Sequence, residues 1–144
     1  MKDKITVVVN GCFDILHPGH IRLLEYAKSL GDYLIVCVNS DQSVKSNKGE
    51  HKPYMMCTAR MEVLKALRCV DQVIEFDGEI DLAHLYKYLA PDILVLGEEY
   101  KYSNITGRPY VKKVVFFPKQ IGHSSTLIAR AIQGVVIKPM HEER

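Results

Sequence analysis

Apolar residues recur along this chain in two rhythms. Residues 5–9 (ITVVV) form an unbroken apolar, β-branched run, the pattern of a strand covered on both faces as in a parallel sheet. Similar runs stand at 33–38 (YLIVCV), 72–76 (QVIEF), 92–96 (DILVL) and 113–117 (KVVFF), making five candidate strands. Between them the period lengthens to that of a helix. Leu23, Tyr26, Ala27 and Leu30 are spaced for one helical face and meet a stop signal at Gly31. Met61, Leu64 and Leu67 repeat the spacing, as do Leu82, Leu85, Tyr86 and Leu89 ahead of Pro91. A fourth helix is expected to open at Ser124 or Ser125, turn Leu127, Ile128, Ala131 and Ile132 inward, and end at Gly134. Strands alternating with amphipathic helices imply right-handed crossovers. The expectation is an α/β, Rossmann-like, doubly wound five-stranded parallel sheet in a single domain over residues 1–134, with a C-terminal tail at 135–144.

Two connections, 39–57 and 97–111, are long for an α/β unit. Both leave the carboxyl ends of strands, where open α/β sheets bind their ligands. Composition adds little to this picture. At 144 residues, 47% hydrophobic and 25% charged, the chain suits one globular domain. Its net charge of +2 is too small for a nucleic-acid footprint, so no nucleic-acid partner is expected, and anions should bind locally. Cys12, Cys37, Cys57 and Cys69 form no CxxC pair and read as plain thiols of a reducing compartment. The first apolar stretch is far shorter than a signal or membrane span, which makes the cytoplasm, with no membrane partner, the expected location.

Chemistry concentrates at residues 10–20, NGCFDILHPGH, between the first strand and the first helix. Pro18 fits the first turn of a helix. Gly19 keeps that turn bare, so backbone N–H groups and the positive end of the helix dipole can approach an anion. His17 and His20, three residues apart, share one edge and can donate hydrogen bonds to phosphate oxygens. Zinc would need further ligands, and none stands at a suggestive spacing. No GxxxxGK[ST] or GxGxxG is present, which argues against a P-loop kinase and a dinucleotide dehydrogenase. For Asp14 three readings remain open: a cap, a brace for its loop, or a contact to Mg²⁺ on a triphosphate.

The HPGH element following GCFD resembles that of the cytidylyltransferase-like nucleotidyltransferases. The likeness extends in order through GDYLIV and VNSD at 31–41, Lys48-Gly49 with Pro53, Arg60 in TARMEVLKAL, LGEEY at 96–100 and GHSST at 122–126. The loop motifs look most like the sugar-phosphate adenylyltransferases that make ADP-heptose, with the glycerol-3-phosphate cytidylyltransferases next. Lys52 stands where that first group has Arg, and GEEY where it has GGDY. Lys119 stands where the glycerol-phosphate enzymes carry Arg, which weakens a CTP reading.

The resemblance implies transfer of NMP from an NTP, ATP favoured, onto a heptose-like sugar 1-phosphate, with Mg²⁺ supplied by the NTP complex and no resident metal. It implies catalytic roles for His17, His20, Lys48 and Thr126. Asn10, Gly11, Cys12, Phe13, Gly19, Gly97, Lys119, Ser124 and Ser125 would bind nucleotide, and Asp14, Asp41 and Arg60 the acceptor. It also implies a homodimer. A glycerol 3-phosphate cytidylyltransferase, an FAD-synthetase-like adenylyltransferase and a catalytically silent nucleotide sensor are the alternatives.

Overall fold

A computed structural model describes residues 4–120 and 124–137 of the protein; Gly122, His123 and the 138–144 stretch of the tail lie outside them. The apolar runs become strands for the reason their composition suggests. In β1 (Thr6–Gly11), Val7 and Val9 enter one core cluster with Leu24, Ala27 and Leu64, while Val8 enters another with Leu82 and Tyr86. A strand covered on both faces cannot alternate with polar residues.

Five parallel strands line up in the order β3-β2-β1-β4-β5, with β2 at Tyr33–Asn39, β3 at Gln72–Phe76, β4 at Ile93–Gly97 and β5 at Lys113–Phe117. Helices α1 (Pro18–Ser29) and α3 (Cys57–Lys65) pack on one face and α4 (Gly78–Leu89) on the other, so the sheet is doubly wound as expected. Helix α4 ends in a left-handed Ala90, φ 47°, just before Pro91. Strand order reverses between β1 and β4, and the carboxyl ends there form a natural crevice.

The structure corrects several boundaries. Strand β1 runs on to Gly11, so Asn10 and Gly11 belong to its carboxyl end, not to a loop. The 39–57 connection contains a further helix, α2 (Asp41–Lys48), capped by Ser40, whose Oγ accepts from the Ser43 N–H at 3.1 Å. Short 3-10 turns at Glu98–Tyr100 and Arg108–Tyr110 organise the 97–111 connection. The last helix, α5 (Ser125–Ile137), passes through Gly134 instead of ending there. A single glycine inside a helix costs only about 1 kcal/mol against alanine, which the surrounding turns absorb.

Candidate functional site

Between Gly11 and α1 the chain must reverse sharply, and Phe13 does this at φ 52°, a region a bulky residue rarely adopts. Its ring, 5% exposed, lies against Gly11, where an added β-carbon would come within 3.1 Å, and stands 5.5 Å from the His20 ring. Backbone strain is thus stored where the histidines are presented.

The HPGH segment folds into a reciprocal cap. The Gly19 N–H donates to His17 Nδ1 at 3.1 Å, and the His17 N–H donates to His20 Nδ1 at 3.2 Å. This is the logic of a capping box carried out by imidazoles. A ring that accepts through Nδ1 carries its proton on Nε2, so each neutral histidine keeps one N–H donor away from the helix end. The rings stack at 3.8 Å. Burial above all, with the neighbouring His17 and Lys48 acting in the same direction, pushes the His20 pKa down to about 4, so His20 is a neutral donor at physiological pH. Gly19 is required by contact: a β-carbon would fall 2.9 Å from His17 Cε1.

These groups line a cavity of about 370 Å³ at the carboxyl ends of β1, β4 and β5, across the β1/β4 reversal. Asn10, Gly11, Cys12, Phe13, Asp14, His17, Gly19 and His20 form one wall. Lys48 comes from the end of α2, Gly97 from β4, and Lys119 with Ser124, Ser125 and Thr126 from the approach to α5. Ser124 caps α5, its Oγ accepting from the Leu127 N–H at 2.9 Å. The Ser125 hydroxyl donates to Ile15 O at 2.7 Å and accepts from the Ile15 N–H at 3.2 Å, which ties α5 to the loop before α1.

Two expected acceptor residues are not in the cavity wall. Arg60, 1% exposed, donates from Nε to Met55 O (2.9 Å), from NH1 to Cys12 O (2.8 Å) and from NH2 to Asp41 Oδ1 (2.8 Å). Asp41 also accepts from the Cys57 N–H at 2.9 Å. The pair braces α2 against α3, with the guanidinium turned into the protein, where a buried charge must be paired, and neither side chain lines the cavity. Asp14 does reach the cavity, but its carboxylate accepts from the Tyr54 and Met55 N–H groups at 2.7 and 2.8 Å. Of the three readings for Asp14, the loop brace is the one seen.

Sequence reasoning missed Lys52, Glu99, Tyr100 and Gln120 as cavity residues. Lys52 Nζ lies 3.3 Å from Thr126 Oγ1 and 4.6 Å from the Tyr54 ring centre, spanning the mouth from the α2–α3 loop to α5. Its place in the KG…P loop was the available signal. Glu99 curls over Gly97 so closely that any β-carbon there would collide with its carboxylate.

Three lysines, two Nε2–H donors and two helix starts facing one cavity make a seat for a chain of phosphates, on a sheet that binds ligands at its switch point. Fold and site together define a domain of the nucleotidyltransferase type. Residues 8–131 match the family described as cytidylyltransferase-like, and the chain belongs to that family. It is 44% identical over 131 residues to the bifunctional protein HldE of Campylobacter fetus subsp. fetus, covering 91% of this chain and 28% of that protein. With HldE of Haemophilus ducreyi it shares 52% over 101 residues, 70% of this chain and 21% of the other. The chain therefore spans under a third of the length of these curated relatives. Among solved structures, the lipopolysaccharide core biosynthesis protein from Thermoplasma volcanium GSS1 superposes with a TM-score of 0.69 at 30% identity, covering 82% of this chain and all of that one. A pantoate-beta-alanine ligase from Francisella tularensis shares the fold, with a TM-score of 0.58 at 20% identity over 92% of this chain and 70% of the other. Among the described residues no helix is long and apolar enough to cross a membrane.

Proposed function

We propose that this domain transfers NMP from an NTP, ATP in preference, to a heptose-like sugar 1-phosphate and releases pyrophosphate. The observation that carries this reading is the pair of Nε2–H donors held by the histidine cap opposite Lys48, Lys52 and Lys119 in one cavity. The similarity to the bifunctional protein HldE, together with the resemblance of the loop motifs to the sugar-phosphate adenylyltransferases that make ADP-heptose, supports the choice of acceptor.

The acceptor phosphate is already ionised at neutral pH and needs no general base. One of its oxygens attacks the α-phosphorus in line, a new P–O bond forms, and the bond from the α-phosphorus to the bridging oxygen breaks as pyrophosphate departs. The work of the chain is positioning and electrostatics. His17 and His20 donate to oxygens around the α-phosphorus, while Lys48, Lys119 and Thr126 hold the departing phosphates. Mg²⁺ would travel with the NTP, which suits a donor set without a cage: among the described residues no three His, Cys, Asp or Glu side chains cluster to hold an ion. Magnesium keeps waters and substrate phosphates as most of its ligands. By the same family resemblance we propose a homodimer working in the cytoplasm.

The test is pyrophosphate release across four NTPs crossed with sugar 1-phosphates, glycerol 3-phosphate and FMN. ATP with a heptose 1-phosphate should give the strongest signal. CTP-only activity would move the assignment to the cytidylyltransferases, and nucleotide binding without turnover would make the domain a sensor.

A further inference from the structure

A tyrosine buried in an apolar core is costly unless its hydroxyl finds a partner, and leucine would fill the same space without that demand. Tyr86 of α4 is fully buried, in the cluster beneath β1, β2 and β4. Its hydroxyl accepts from Asn10 Nδ2 at 2.7 Å and stands beside the Cys37 thiol, whose pKa burial pushes up to about 12, so that the thiol stays protonated. Its ring packs against Gly107, leaving no room for a β-carbon there. The phenol is therefore held on three sides, and the Asn10 amide with it. Asn10 lines the cavity. Its Oδ1 takes part in no hydrogen bond, yet among the described residues no buried side-chain oxygen or nitrogen lacks a partner. That oxygen is consequently not sealed in the interior, and the residue that carries it lines the cavity.

The cavity is otherwise rich in donors: two imidazole N–H groups, lysine ammoniums and the Thr126 hydroxyl. Such groups read phosphates. A fixed amide oxygen among them reads the opposite chemistry, a hydrogen-bond donor on the substrate. We propose that Tyr86 is a positioning residue that locks the Asn10 carboxamide with Oδ1 toward the cavity, where it accepts a hydrogen bond from a sugar hydroxyl. The hydroxyl belongs either to the ribose of the nucleotide or to the sugar of the acceptor. This rests on the nucleotidyltransferase reading for the choice of substrates, though not for the geometry.

Tyr86→Phe keeps the ring against Gly107 and removes only the oxygen. The experiment measures binding by calorimetry, and KM where turnover occurs, for ATP, 2′-deoxy-ATP and 3′-deoxy-ATP, then for heptose 1-phosphate and its singly deoxygenated analogues. In the unmodified protein one deoxy analogue should bind about tenfold more weakly than its parent, the size of one neutral hydrogen bond. In Tyr86→Phe that gap should close, with the loss appearing in KM and the melting temperature checked in parallel. A merely structural tyrosine would weaken parent and analogue alike and leave the gap intact, which overturns the proposal, as does the absence of any gap in the unmodified protein. Should Tyr86→Phe fail to fold, Asn10→Ala carries the same expectation. Binding without pyrophosphate release would sink the catalytic reading while leaving this comparison intact.

Discussion

His20 caps a helix and donates into the cavity with the two nitrogens of one ring. Replacing it with alanine should remove both effects. Pyrophosphate release is expected to fall about 10² to 10³-fold, the usual cost of one preorganised donor, and urea denaturation should show a loss of about 1 kcal/mol for the cap. The pH dependence follows from the ring's depressed pKa of about 4 against an ordinary 6.5. Between these values the unfolded chain binds a proton that the folded chain refuses, so stability should fall as pH drops from about 6.5 to 4 and level off below. Urea midpoints across that window should show the slope in the parent and a shallower one in His20→Gln. A parallel slope in both would mean that another group carries it.

At the scale of elements, the brace between α2 and α3 decides more than its single ion pair suggests. Arg60 is sealed in the interior while Asp41 is partly open, so the two deletions are not equivalent. Asp41→Ala strands a buried guanidinium and should cost about 3 kcal/mol or more. Lys112→Ala removes the 82% exposed partner of Asp92 and should cost under about 1 kcal/mol in the same urea titration. The contrast also explains what the sequence made legible. Strands β3 and β5 were evident because each is a short, β-branched and aromatic run, although β5 is only half-buried and β3 buries only Val73 and Phe76. Helix α2 was hidden because DQSVKSNK carries a single large apolar residue, Val44, although Ser40 as cap, Asp41 in the first turn and Lys48 in the last were present as signals. The histidine cap was legible because its partners lie within a few residues. The inward turn of Arg60 was not, since its partners Cys12 and Asp41 are 48 and 19 positions away and nothing local tells a buried cation from a cavity-facing one.

For the whole molecule, the cavity draws on the ends of three strands and the starts of α1 and α5. A ligand there links elements far apart in the chain and should stabilise them together. At about 100 times its dissociation constant a nucleotide contributes about 2.7 kcal/mol, which for a domain this size raises the melting temperature on the order of 8 °C. Scanning calorimetry with ATP and with CTP should show the larger shift for ATP. Equal shifts would remove the thermodynamic support for an adenylyl donor.

At Tyr54 and Met55 the segment between α2 and α3 is gripped by its main chain: Asp14 takes the N–H groups of both residues, and Arg60 takes the carbonyl of Met55. Because that grip reads backbone and not side chain, the residues at 54 and 55 are free to change while the path of the loop stays put. Exchange of this stretch among family members, with Asp14 and Arg60 left untouched, should therefore re-tune substrate choice without a repeat of the search for a fold. A divergent lineage could explore new acceptors through it at little risk to the scaffold.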